Sequence, residues 1–161
     1  MSSNAMEMRS LYAGSVLPEI SMLLEEAMES YHNTEHAEKL LKQAHEQAPT
    51  ALAVYFSYYK FLFYKGRLAD AEAIVRSALA EAAKQGNFPG AWEQLSADSC
   101  DWSVHESPQH FYLFTLKALA FIRLRQGDRE QCDQILAKLQ ILDRSDTVGS
   151  SVISALAAGS V

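Results

Sequence analysis

The chain has 161 residues, of which 48% are hydrophobic and 21% charged, enough apolar side chains for one buried core and too many for a disordered chain. Its formal net charge of −6 argues against a dominant nucleic-acid role, which needs a basic face. No run of about 18 apolar residues occurs, so no membrane insertion is expected.

Residues 1–16 have little periodicity and are expected to be a flexible N-terminus. Arg9 is the only base there and no long apolar stretch follows, so the segment does not read as a signal peptide. Within residues 1–5, Ser3-Asn4-Ala5 ahead of Met6 reads as an expression scar. Cys100 and Cys132 are far apart and read as reduced thiols of a cytoplasmic protein.

Pro18 suits the first turn of a helix, and Ile20, Leu23, Leu24, Ala27, Met28 and Tyr31 continue it as an apolar stripe. His32-Asn33 ends that stripe. Thr34 is expected to cap a second helix with Ala37, Leu40, Leu41 and Ala44 facing inward, closed by Pro49. A third helix, from about Thr50 to Lys65, carries aromatics on all sides, so one core face cannot hide them. Gly66 turns the chain, and Leu68 to Gln85 pairs back, with Leu68, Ala71, Ile74, Val75, Ala78 and Leu79 at steps of three and four. Ala71 is expected at the close helix contact and Glu72 facing outward. Residues 86–109 break the pattern and hold both tryptophans, Trp92 and Trp102. A short helix from Pro89 to Ser96 is expected there, and loop elsewhere. Phe111 to Arg125 and Arg129 to Leu142 restore a helix pair. Asp146 or Thr147 is expected to cap a last helix, with Val148, Val152, Ile153 and Leu156 covering the open end of the stack.

Three segments repeat. Thr34 to Leu40, Leu68 to Ile74 and Arg129 to Ile135 each place a small residue before an acid, then Leu or Ile two positions on; the first step is 34 residues and the second 61. With this period the chain resembles the tetratricopeptide repeat (TPR) family, whose pattern is W-x2-L-G-x2-Y, then A-x3-F, then P. Leu24, Met28, Ala37, Leu41 and Pro49 fit that pattern in residues 18–49. Tyr55, Tyr58, Leu62, Ala71 and Val75 fit it in 52–84, and Leu116, Leu119, Cys132 and Leu136 in 113–144. The chain departs from it at the family glycine, which is Glu25, Tyr59 and Ala120 here, and at Arg123, where a large aromatic is usual. The resemblance implies an all-α, right-handed superhelix of antiparallel helix pairs over 17–161, with an insert at 86–109 and a capping helix at 147–158.

It also implies a concave face lined by the first helix of each pair. That face takes Glu19, Met22, Glu26 and Glu29 from the first pair, and Ala53, Phe56, Lys60, Phe63 and Tyr64 from the second. The third gives Phe114, Lys117, Phe121, Leu124 and Arg125. The set is acidic at one end and aromatic and basic at the other. The expected partner is therefore a protein or peptide with apolar anchors and some acidic character. The basic and Asn residues by which one TPR subtype holds a terminal carboxylate are replaced by Met22 and Glu26 in the first repeat, so that ligand is not expected. Trp102 is expected to lie over the groove as a lid and Trp92 to brace the gap between repeats. The alternatives are a homodimer through the aromatic helices and a bacterial type III secretion chaperone. His32 and His36 have a metal-compatible spacing but are separated by the turn. Cys100 and His105 lack an orienting third group. No catalytic residue, metal or cofactor is expected, and the chain is not expected to be an enzyme.

Overall fold

The computed structural model describes residues 16–159, which form seven α-helices and no strand. The expected flexible segment 1–16 and the scar within it lie, apart from Val16, outside these residues. The helices are α1 (Pro18–Glu29), α2 (Thr34–Gln47), α3 (Leu52–Tyr64), α4 (Leu68–Gly86), α5 (Pro108–Arg125), α6 (Arg129–Leu142) and α7 (Ser150–Gly159). A single 3-10 turn, Trp92–Gln94, stands where the short helix was expected. α1 pairs with α2, α3 with α4 and α5 with α6, while α4 and α3 also pack on α5. No helix among the described residues is long and apolar enough to cross a membrane.

Local chemistry sets the helix ends. Asn33, not Thr34, caps α2: its Oδ1 accepts from the His36 N–H at 3.3 Å, and Thr34 is the first helical residue. Ser107 Oγ accepts from the His110 N–H, with Pro108 at the first helical position, so α5 begins three residues before the expected Phe111. At the end of α4, Asn87 takes the left-handed conformation (φ 59°), and Phe88 folds back with its N–H bonded to Ala83 O. A Cβ at Gly86 would stand 2.4 Å from the Phe88 ring, so glycine there admits the aromatic.

The repeated small residue faces inward in all three pairs, since Ala37, Ala71 and Cys132 are fully buried. The acid that follows it is not solvated as expected. Glu72 is half-buried and paired to Arg76 and Arg123, because the neighbouring hairpin brings Arg123 against that face.

The insert packs into the core. Trp92, Leu95 and Trp102 are buried. Trp102 donates its indole N–H to Ser96 O at 2.9 Å and packs against Phe88 at 5.2 Å. Phe88 in turn meets Tyr112 of α5 at 5.1 Å, and the Tyr112 hydroxyl donates to Gly90 O at 2.7 Å. Lys138 of α6 holds the other side through Leu95 O at 2.5 Å.

The last helix covers the stack with part of the expected set, Val148 and Ile153, and not with Val152 and Leu156. Ser150, Ile153 and Ala157 turn inward, at steps of three and four, together with Val148 ahead of the helix. Val152 and Leu156 are 61% and 47% exposed. The helix is apolar nearly all round, so its composition selects no face; the loop before it does. Asp143 accepts from Thr147 and Val148, and Asp146 from Ser150 and Ser151, which fixes the angle at which α7 leaves. The helix starts at Ser150, and Asp146 caps it as expected, its Oδ1 accepting from the Ser151 N–H at 3.3 Å.

Candidate binding groove

α3 is buried along most of its length, and only Lys60, Phe63 and Tyr64 toward its C-terminal end are partly or fully accessible on the trough side. Phe56, Lys60, Phe63 and Tyr64 recur at steps of three and four and so share a face. On α5, Phe114, Lys117 and Phe121 do the same. The two stripes meet, with Phe56 against Phe114 at 5.9 Å and Phe63 against Phe121 at 5.2 Å. Beneath them Tyr59 and Thr115 join their hydroxyls at 3.2 Å, a buried bond that locks α3 to α5. The result is an open trough of about 380 Å³ lined by all seven of these residues.

The cations lie along the aromatic walls. Lys60 stands over Phe56 and Tyr64, at 5.6 and 6.0 Å. Arg125, outside the trough lining, stacks on Phe63 and Phe121 at 5.7 and 6.0 Å. Lys117 Nζ is 4.4 Å from the Phe114 ring centre and donates to Val148 O at 2.7 Å. Burial pulls the Lys117 pKa down, opposed by Asp146 and Asp143. Its ammonium therefore ties α5 to the loop before α7 as well as facing the trough. No carboxylate lines the trough among the described residues.

The side chains differ in how they can act. Phe56 is 3% exposed and forms the floor, whereas Tyr64 is 63% exposed at the rim. Ala53 is buried, and neither it nor Leu124 lines the trough. Glu19, Met22, Glu26 and Glu29 of α1 are exposed and lie outside it; Glu26 meets His36 at 3.2 Å. Tyr59, Ala118, Ile122 and Ile153 complete the lining without having been expected there. Ile153 comes from α7 and reaches the trough only through the folded stack; its spacing gives no sign of that place.

Neither tryptophan borders the trough. Both are placed as braces, and the lid expected of Trp102 is replaced by a ring buried between Phe88 and Tyr112. Cys100 and His105 border a separate polar cavity beside Asp143. Burial and then Asp101 push the Cys100 thiol up to about 11, which keeps it protonated at neutral pH. No group of three His, Cys, Asp or Glu side chains is placed to hold a metal among the described residues.

The fold and trough define an all-helical protein with an aromatic, cation-edged groove. No protein-family model, curated protein or solved structure matches the chain.

Proposed function

We propose that the chain is a non-enzymatic interaction module that holds an apolar-anchored segment of another protein in the α3–α5–α7 trough, as a scaffold or chaperone-like adaptor. The observation that carries this reading is the trough lining, which among the described residues holds four phenylalanines and two lysines, in a chain whose net charge is −6. Aromatic walls give contact area at low entropy cost, and the cations orient an acidic partner. The architecture proposed is a TPR-like right-handed superhelix. It is supported by the 34-residue offset between the starts of α1 and α3 and between those of α2 and α4. A type III secretion chaperone is a narrower form of the same proposal.

Selection of a displayed peptide library on the purified protein tests it. Enriched peptides should carry aromatic or aliphatic anchors with nearby acids, and Phe63→Ala or Phe121→Ala should abolish their binding. Absence of enrichment, or binding indifferent to both substitutions, would sink the proposal. The competing reading is a homodimer through the aromatic helices, favoured by the exposed Tyr64 ring at the rim. Light scattering that shows a dimer dissociated by Phe121→Ala would establish that instead.

A further inference from the structure

A second cavity, of about 160 Å³, opens between α1, α2 and α3. Its walls grade from buried to exposed. Ala27, Leu41, Ser57 and Phe61 are each at most 7% exposed, whereas Met28 is 36% and Tyr64 63% exposed. The first four form a floor and the last two a rim. Lys60 and Tyr64 border this cavity and the trough alike, so one ridge of α3 separates the two spaces.

Ser57 is the anomaly on that floor. Its Oγ is buried and has no hydrogen-bond partner among the described residues. A serine in a helix ordinarily bonds to the carbonyl four residues back or turns toward water. Buried and unpaired, the hydroxyl destabilises the free protein, and alanine would fill the same place without that cost. Its three companions on the floor are apolar, so packing does not account for it. The hydroxyl faces a space that a guest can enter, and it offers that guest one hydrogen bond.

One hydroxyl satisfies a neutral polar tip. It does not compensate a buried charge, whose lost hydration far exceeds a single hydrogen bond. The ammonium groups nearby are already engaged by rings: Lys60 by Phe56 and Tyr64, and Lys65 by Tyr31 at 3.7 Å and Phe61 at 5.7 Å. Recognition therefore falls to the hydroxyl and the apolar walls. Their size and chemistry suit an aromatic ring. An apolar cavity of about 150 Å³ is large enough to hold benzene. Tyr31 and Phe61 meet edge to face at 5.9 Å, an arrangement that a third ring extends, and the Met28 thioether adds a favourable ring contact. A ring with its hydroxyl opposite its tether puts the oxygen at the floor while the tether leaves across the rim.

We infer that the cavity is a phenol pocket, and that its occupant is a tyrosine side chain of the segment held in the trough. The ring enters between Met28, Tyr31 and Phe61, and its hydroxyl pairs with Ser57 Oγ, either oxygen donating. Placing the tyrosine on that segment rests on the trough reading; the phenol chemistry rests on the cavity alone.

The full-length protein is titrated with p-cresol, the tyrosine side chain cut at its tether, and with toluene, the same probe without the hydroxyl. Methyl resonances of Ala27, Met28 and Leu41 report the site, and p-cresol should move all three. Ser57→Ala should weaken p-cresol about tenfold, leave toluene unchanged and melt no lower than wild type. Ser57→Cys, near-isosteric but a weak hydrogen-bonding partner, should give most of the same loss. Methyl resonances that stay still, or a Ser57→Ala variant that binds both probes as wild type does, overturn the pocket, and solvent alone then satisfies the hydroxyl. In peptides selected on the wild-type protein, one Tyr-to-Phe change should weaken binding about tenfold on wild type and not at all on Ser57→Ala, while Phe121→Ala weakens both peptides alike. Peptides that need Phe121 but carry no tyrosine, or tolerate phenylalanine at every tyrosine, overturn the tyrosine assignment and leave the trough standing. If no peptide binds, or Phe121→Ala changes nothing, the trough reading falls and the segment-borne tyrosine with it, and the two probes still decide the phenol pocket.

Discussion

Glu38 and Glu72, 34 residues apart, each hold an arginine delivered by the next helix pair. Arg67, in the turn after α3, donates to both Glu38 oxygens, at 2.7 and 3.0 Å. Arg123, near the end of α5, reaches Glu72 at 3.1 Å and also pairs with Asp128. The acids after Ala37 and Ala71 thus tie successive pairs together, whereas Asp133, after Cys132, pairs with Arg129 of its own helix. A double-mutant cycle of Glu38→Gln and Arg67→Gln in urea should give a coupling of about 0.5–1 kcal/mol, the upper end for an exposed pair because it is bidentate. Added salt should shrink it. The Arg67 bond holds the Glu38 carboxyl below its ordinary value of 4.5. The stabilisation is therefore present above about that pH and lost as pH falls through the depressed pKa.

The insert should behave as a fixed part of the core. Trp92→Ala and Trp102→Ala should each cost about 3–5 kcal/mol. Emission of the single-tryptophan variants Trp92→Phe and Trp102→Phe should be blue-shifted and resistant to quencher, and unaltered by any groove-binding peptide. A red, readily quenched Trp102 would contradict the packing on Phe88 and Tyr112.

Deleting residues 147–161 should remove the carbonyl that holds Lys117 and uncover the trough beside Ile153. A lower melting temperature and new binding of a hydrophobic dye are the expected results. Ile153→Ala alone should cost about 2–4 kcal/mol. Val152→Ser and Leu156→Ser, on the exposed face, should each lie within about 0.5 kcal/mol of wild type. The reverse ranking would put the other face of α7 inward.

His110 gives the fold an acid-sensitive point. It is buried and stacked on His105 at 5.3 Å. Burial and then His105 lower its pKa from the ordinary 6.5, against an opposing pull from Asp143. Between the depressed value and about 6.5 the unfolded chain binds more protons than the folded one, so stability is full above that window and falls as pH drops through it. Thermal melts from pH 7 to pH 5 should show this loss. His110→Gln should flatten it; an unchanged slope would assign the loss to other groups.

Most helix boundaries could be read because their signals are local. Pro18, Gly66 and the Gly127-Asp128 turn act within a few residues, and apolar steps of three and four mark the buried sides of α2 and α4. The aromatic stripes of α3 and α5 were readable for the same reason. Side chains whose role depends on a distant neighbour were not. Ser57 looks like an ordinary helical serine, although it is buried with no hydrogen-bond partner for its Oγ among the described residues, and Ile153 reaches the trough from 97 residues beyond Phe56. Glu72 reads as a solvated acid because Arg123, 51 residues on, is invisible to periodicity. Trp102 failed as a lid on the same count, its partners Phe88 and Tyr112 lying on either side of it in the chain.

Because Ile153 completes the trough lining and Val148 holds Lys117, the groove is finished last as the chain is synthesised. The first two helix pairs can dock through short-range contacts, but α5 must cross the whole insert to reach α3, and α7 follows it. A nascent chain stalled before residue 148 would already contain both aromatic stripes and still lack the end wall between them. Exposed phenylalanines would then be available to any passing surface, and premature termination in that interval should yield an aggregating species rather than a weaker binder.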